Sequence, residues 1–262
     1  MQDSIGSTVD SASVKFDAGK NNEKLTKLQE YIRRSAEVLG FDDHAEVWSF
    51  SIPAGHTCPG ALECLARANR ETGKITHGKD QRFVCFAAVL EQIYSNRREK
   101  VWLNFETING KPVEEIADIL ESNLPPKASV IRVHVAGDFY TAKYFLAWME
   151  VARRNPDRHF YAYTKSIRIW IDNRDAVPTN FNLTASLGGR WDSLAQEFDL
   201  KTVVVVFSVE QAEKLGLEID EDDSHAAFGS KSFALLIHGQ QQAGSEASKA
   251  VSALRKVRKE SK

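Results

Sequence analysis

The chain has 262 residues, 42% of them hydrophobic and 27% charged, with a formal net charge of -2. This is the balance of a globular protein large enough for one sizeable core, and it excludes a chain drawn to nucleic acid or anionic membrane by overall charge. Three cysteines are too few for a disulfide framework, no window approaches the roughly 18 apolar residues of a membrane span, and residues 1–22 lack an apolar leader, so a reducing cytoplasm is expected.

Residues 1–22 are rich in Ser, Asp, Gly and Asn without a sustained period, and are expected to be a flexible arm ahead of a single α/β domain over 23–262. From Lys24 the stripe Leu25, Leu28, Tyr31, Ile32 and Leu39 predicts a helix stopped by Gly40. The run 45–52, AEVWSFSI, reads as a first strand ending at Pro53. A short helix over 60–71 and a polar loop over 72–81 follow. Then come a long helical segment over 86–108 and a helix over 113–123, closed by Pro125 and Pro126.

Beyond residue 129 the strands VIRVHVAG, HFYAYTK, FNLTASL, TVVVVFS and SFALLIHG each precede a helical segment. With the first strand, that makes six β-then-α units, which call for a parallel sheet with right-handed crossovers. The expected fold is a partial (β/α)6 barrel of mainly parallel strands, with an N-terminal helix and an insertion after strand 1. No GxGxxG or GxxxxGK[ST] string supports a nucleotide-binding doubly wound sheet.

The three cysteines, Cys58, Cys64 and Cys85, all fall just after the first strand. Three soft ligands suit a metal or cluster with one coordination position left open. In both candidate architectures ligands sit beyond the carboxyl ends of the strands. Those ends are the cysteine loop, Gly137-Asp138, Thr164-Lys165, Ser186, Ser208 and His238-Gly239. Lys165 is a candidate general acid/base or phosphate contact, and His134 a candidate catalytic residue or orienter of Asp138. His56 could complete a Cys3His zinc site, the alternative being a zinc-stabilised nucleic-acid-binding module. Asp222, Asp223 and His225 form an acidic run that could be a lid or second metal site. Phe139, Tyr140, Tyr161, Tyr163 and Trp191 are candidates for stacking on a base. The basic insertion 67–82, with Arg67, Arg70, Lys74, Lys79 and Arg82, is the candidate contact for a nucleic acid or nucleotide.

A first strand followed by a cysteine loop, the context Val84-Cys85-Phe86-Ala87, and a second strand ending in Gly137-Asp138 together resemble the barrel of radical S-adenosylmethionine enzymes. That resemblance implies a [4Fe–4S] cluster on Cys58, Cys64 and Cys85, with S-adenosylmethionine on the fourth iron. It puts Gly137 and Asp138 at the methionyl amino group and Ser186 or Ser208 at the ribose or carboxylate, with Thr164 and His238 completing the cofactor rim. The cysteine spacing departs from that superfamily's CxxxCxxC, with five and then twenty intervening residues, and the turn is AGD in place of GGE. A closer similarity in wording covers almost all of residues 46–250. The strings SIPAGHTCPGALECLARANRETGKITHG, RVHVAGDFY, NLTASLGGR and SFALLIHGQQQAGSEA are similar to the gene-product-88-like family of phages and plasmids. This implies a phage or mobile-element origin and a host bacterial cytoplasm, and leaves open a cluster-bearing protein without radical chemistry that acts on a host partner.

Overall fold

A computed structural model describes residues 13–42 and 44–260, the side chains of 258–260 excepted. The chain enters through β1 (Asp17–Ala18) and a 3-10 turn (Gly19–Asn21). Next comes α1 (Glu23–Arg34), started by the Asn22 side chain, which accepts from the Lys24 and Leu25 amides. The short α2 (Ala36–Leu39) ends at Gly40. From residue 13 the expected arm is therefore packed structure: Val14 is buried, the Phe16 ring lies 5.1 Å from Phe50, and the Lys15 amide donates to Asn104 at 2.7 Å. Residues 1–12 of that arm lie outside the described residues.

β2 (Glu46–Phe50) is the first strand of the main sheet. The helix expected over 60–71 does not form. Its place is taken by turns and an antiparallel hairpin, β3 (Ala66–Ala68) with β4 (Ile75–His77). Asn69 explains the switch, because its side-chain oxygen accepts from the Glu71 and Thr72 amides and closes a turn that competes with a helix. The long helical segment divides at Tyr94, whose extended backbone (φ -113°, ψ 104°) separates α3 (Phe86–Ile93) from α4 (Ser95–Ile108). Arg98 secures the break by donating to the Glu91 carbonyl in the last turn of α3.

The remaining elements alternate: α5 (Val113–Ser122), β5 (Ala128–Val133), α6 (Ala142–Arg154), β6 (His159–Thr164), α7 (Ile167–Asp172), β7 (Phe181–Ser186), α8 (Asp192–Glu197), β8 (Thr202–Val206), α9 (Val209–Leu215), α10 (Ser224–Ala227), β9 (Phe233–Leu236) and α11 (Glu246–Glu260). The seven-stranded sheet runs β1-β2-β5-β6-β7-β8-β9. Only β1 is antiparallel to its neighbour. The strand order never reverses, so successive right-handed crossovers wind the same way and the sheet curls as a half-barrel.

Residue alternation separates the two faces. Ile131 and Val133 of β5 join Phe145, Trp148 and Met149 of α6 in one buried layer. Val130 faces the other way and packs with Leu25, Leu28 and Ile32 of α1, Tyr161 of β6 and Ala226 and Ala227 of α10. Thus α10, which the sequence did not suggest, sits against the concave face and fills part of it.

Candidate functional site

The concave face carries a buried polar row. Ser49, Arg132, Tyr161 and Asn182 stand opposite one another on β2, β5, β6 and β7. Arg132 donates to Asp223 at 2.6 Å, the hydroxyls of Tyr161 and Tyr163 donate to the same carboxylate at 3.0 and 2.9 Å, and Lys24 reaches it at 3.1 Å. The Arg132 and Lys24 charges hold the Asp223 carboxyl well below its usual range despite its burial. The acidic run 220–225 is thus an internal anchor: Asp223 is buried, and the partners of His225 are Glu218 and Asp220.

The cysteine loop lies over the carboxyl ends of the strands and is clasped by three of them. At the end of β5, Gly137 adopts φ +88° and a Cβ there would sit 2.4 Å from Ile52 and 2.8 Å from the Thr57 hydroxyl, so the turn can only approach the loop as glycine. At the end of β6, Gly60 lies against the Lys165 backbone. At the end of β7, Gly188 accepts from the Glu63 amide at 3.0 Å, and the Arg190 amide donates to Gly60 at 2.9 Å. The segment before Cys85 is held from the last strand, where the Gln241 side chain accepts from the Val84 amide at 2.7 Å. The Phe86 ring then lies 4.8 Å from His238.

This clasping brings Cys58, Cys64 and Cys85 into one electrostatic neighbourhood. Each is a free, half-buried thiol. Desolvation raises the pKa of Cys58 most strongly, followed by the charges of Asp138, Cys85 and Cys64. Desolvation also raises Cys64, against the pull of Lys165. Cys85 is pushed up to about 12 by desolvation and by Cys64, while the Ala88 and Ala87 amides at the start of α3 partly oppose this. The Gly55 amide donates to Cys58 Sγ at 3.2 Å. Among the described residues, however, no group of three or more His, Cys, Asp or Glu side chains is placed to hold a metal ion. The expected metal set is present as neighbouring thiols and not as an assembled ion site. His56 is turned away to the Ala68 carbonyl (2.9 Å) and packs on Trp102.

The other expected site residues are largely committed to the scaffold. The Asp138 carboxylate is buried and accepts from the Thr164 hydroxyl at 2.6 Å, the Lys165 amide at 2.8 Å and the Phe139 amide at 2.7 Å. Desolvation raises it to about 6 against these donors. Lys165 donates through Nζ to the Ser186 carbonyl and hydroxyl at 3.0 and 3.1 Å and to the Leu187 carbonyl. Ser208 caps α9 by accepting from Gln211. His134 takes φ +75°, which breaks the alternation of β5 and sends its ring to Tyr144 (2.9 Å) and Phe139. Burial holds it neutral, with its pKa lowered to about 3. In the basic insertion, Arg67 donates to the Gly55 carbonyl, Arg70 pairs with Glu106 and Arg82 with Glu63, which leaves Lys74 and Lys79 without ion-pair partners among the described residues.

One group near the cysteines escaped the sequence reading. Glu91 of α3 is buried beneath their loop, and its Oε1 accepts from the Ala54 amide at 2.9 Å while Oε2 has no partner. Desolvation raises its pKa to about 7. The signal was a lone acid inside the apolar run FAAVLEQI.

Fold and site together define a mixed α/β protein whose curled half-barrel sheet of mostly parallel strands carries a three-cysteine loop on its carboxyl rim. Residues 15–256 match the family described as Gene product 88, and the chain belongs to that family. It is 28% identical over 158 residues to the Gene 88 protein of Mycobacterium phage L5, a match covering 55% of this chain and 56% of that protein. It is 24% identical over 156 residues to the Gene 88 protein of Mycobacterium phage D29, again over 55% and 56%. The chain therefore spans about half the length of these curated relatives. No solved structure matches it. No helix among the described residues is long and apolar enough to cross a membrane.

Proposed function

We propose that this chain carries a cysteine-ligated [4Fe–4S] cluster on a (β/α)6 partial barrel of the radical S-adenosylmethionine type, and works in the cytoplasm of a phage-infected bacterium. The observation that carries the reading is the grouping of Cys58, Cys64 and Cys85, drawn from two separate segments to one place at the carboxyl ends of the strands. A cluster spreads its thiolates over several irons, so it does not require the sulfurs to close around a single ion. Such a group would supply, when bound, the electron for radical chemistry on S-adenosylmethionine. The chain's own part is to present three thiols, to offset through the first amides of α3 part of the desolvation that keeps Cys85 protonated, and to hold the rim by the Asp138 and Lys165 ties.

A second reading, a cluster protein without radical chemistry, is favoured by one specific observation. The groups expected to meet S-adenosylmethionine, Asp138 and Ser208, are engaged within the protein, as is Lys165. Purification without oxygen tests both readings. The expected result is brown protein with about four irons per chain, bleached by Cys→Ala at position 58, 64 or 85. Titration of that protein with S-adenosylmethionine then separates them, since saturable binding selects the radical type and none selects the second. Colourless, iron-free protein from an anaerobic preparation overturns both.

A further inference from the structure

A cavity of about 590 Å³ lies on the concave side of the half-barrel. It falls within the range of about 300–1,000 Å³ that encloses a small organic ligand. Tyr163 and Arg132 form part of its floor, Phe86, Leu90, Leu235 and Leu254 give apolar wall, and Asp220 and Glu221 stand along one side. Two cations also line it, Arg97 from α4 and Arg255 from α11, and neither has an ion-pair partner among the described residues. The Nε of Arg97 is buried without a hydrogen-bond partner. By contrast, Arg132 and Lys24 in the same lining are already satisfied by Asp223.

A buried N–H left without an acceptor, as at Arg97 Nε, is costly, and an anion reaching it and the exposed Arg255 relieves that cost. A free inorganic anion would leave the apolar and aromatic walls empty. The lining asks for a ligand with a planar body, one anionic end for the arginines, and hydrogen-bond donors for Glu221. We propose that this cavity binds a nucleoside monophosphate, with its phosphate on Arg97 and Arg255, its base against Phe86 and Tyr163, and its hydroxyl or amino donors towards Glu221. The proposal goes beyond the cluster reading and does not depend on it, because no cysteine lines the cavity.

The test is isothermal titration of the full chain at low salt with AMP, adenosine and inorganic phosphate, with iron measured on the same sample so that failure here and failure of the cluster reading are told apart. AMP should bind one per chain, with adenosine and phosphate each weaker by about tenfold or more. Losing one charge-assisted contact corresponds to about 10- to 100-fold, so Arg97→Gln and Arg255→Gln should each weaken AMP by that factor and leave adenosine unchanged. Arg255 is exposed on α11, so its variant tests the proposal even if the half-buried Arg97 cannot be replaced without unfolding. Leu254→Trp, which fills the cavity, should abolish AMP binding. Adenosine binding as tightly as AMP, unchanged AMP affinity in the Arg255 variant, or no AMP binding by the parent would overturn the proposal.

Discussion

Gly60 lies so close to Lys165 that a Cβ on it would sit 2.0 Å from the Lys165 carbonyl oxygen. Neither backbone can yield easily, because Gly60 also accepts from Arg190 and the Lys165 amide is tied to Asp138. Gly60→Ala should therefore lift the cysteine loop from the rim, at a cost of about 1–3 kcal/mol for overpacking. The midpoint of urea denaturation reads this directly, and an unchanged midpoint would mean that the loop does not rest on β6. Any iron retained by the parent protein should fall in the same variant.

The Asp138 carboxylate joins the ends of β5 and β6, which predicts a structural cost for its replacement. In Asp138→Asn an amide N–H2 must face one of its present donors, so about 1–3 kcal/mol should be lost. If Asp138 served only a cofactor, cofactor affinity would drop while thermal stability stayed at the parent value. Denaturation and titration on the same variant separate the two outcomes.

Arg132 and Asp223 are buried partners 91 residues apart. Removing Arg132 leaves the buried Asp223 carboxylate with Lys24 and two tyrosine hydroxyls but without its shortest charged contact, so Arg132→Met should cost about 1–3 kcal/mol. The double variant Arg132→Met, Asp223→Asn, which removes both charges while Asn tolerates the φ of +63° and keeps an acceptor for the tyrosines, should recover part of that loss, as a double-mutant cycle would show. Because the folded pKa of Asp223 is depressed, its contribution is fully present above the ordinary carboxylate range and is lost as pH falls through the folded value. Acid denaturation should accordingly need fewer protons in the double variant than in the parent.

Glu91 carries the opposite sign. Its pKa rises from an ordinary 4.5 to about 7 on folding, so the associated stability is full below 4.5 and is lost as pH rises through about 7. The shift corresponds to about 3 kcal/mol. Glu91→Gln keeps the acceptor for the Ala54 amide and removes the buried charge, so it should raise the melting temperature at pH 8 more than at pH 5. An equal effect at both pH values would sink this account of Glu91.

The parallel strands were legible because runs such as TVVVV and FALL are apolar on both faces, and the pattern needs no partner to be read. β1 was not, since two residues carry no period and its place depends on contacts such as Phe16 on Phe50 and Lys15 on Asn104. The segment 60–71 misleads because Ala and Leu favour a helix, whereas the Asn69 turn and the grip of Gly188 and Arg190 decide otherwise. In the site, nearness of the cysteines could be anticipated from their spacing, but the engagement of Asp138, Lys165 and Ser208 within the scaffold could not. A strand-end polar group looks the same in sequence whether it awaits a ligand or ties two loops together. Arg132, a lone charge inside the apolar run VIRVHV, is a signal of a buried partner that the sequence reading did not take up, and nothing in the run says that the partner comes from 220–223.

The clasp between Val84 and Gln241 spans 157 residues and sets an order of events during synthesis. The segment bearing Cys85 leaves the ribosome long before the turn after β9 that grips it, so its final position must await nearly the whole sheet. Contacts of such long sequence separation form late and slowly. Until then the three thiols are exposed on an unfinished chain, open to oxidation or to a scavenging metal. Any group taken up at this rim would therefore find its thiols in place only at the end of folding.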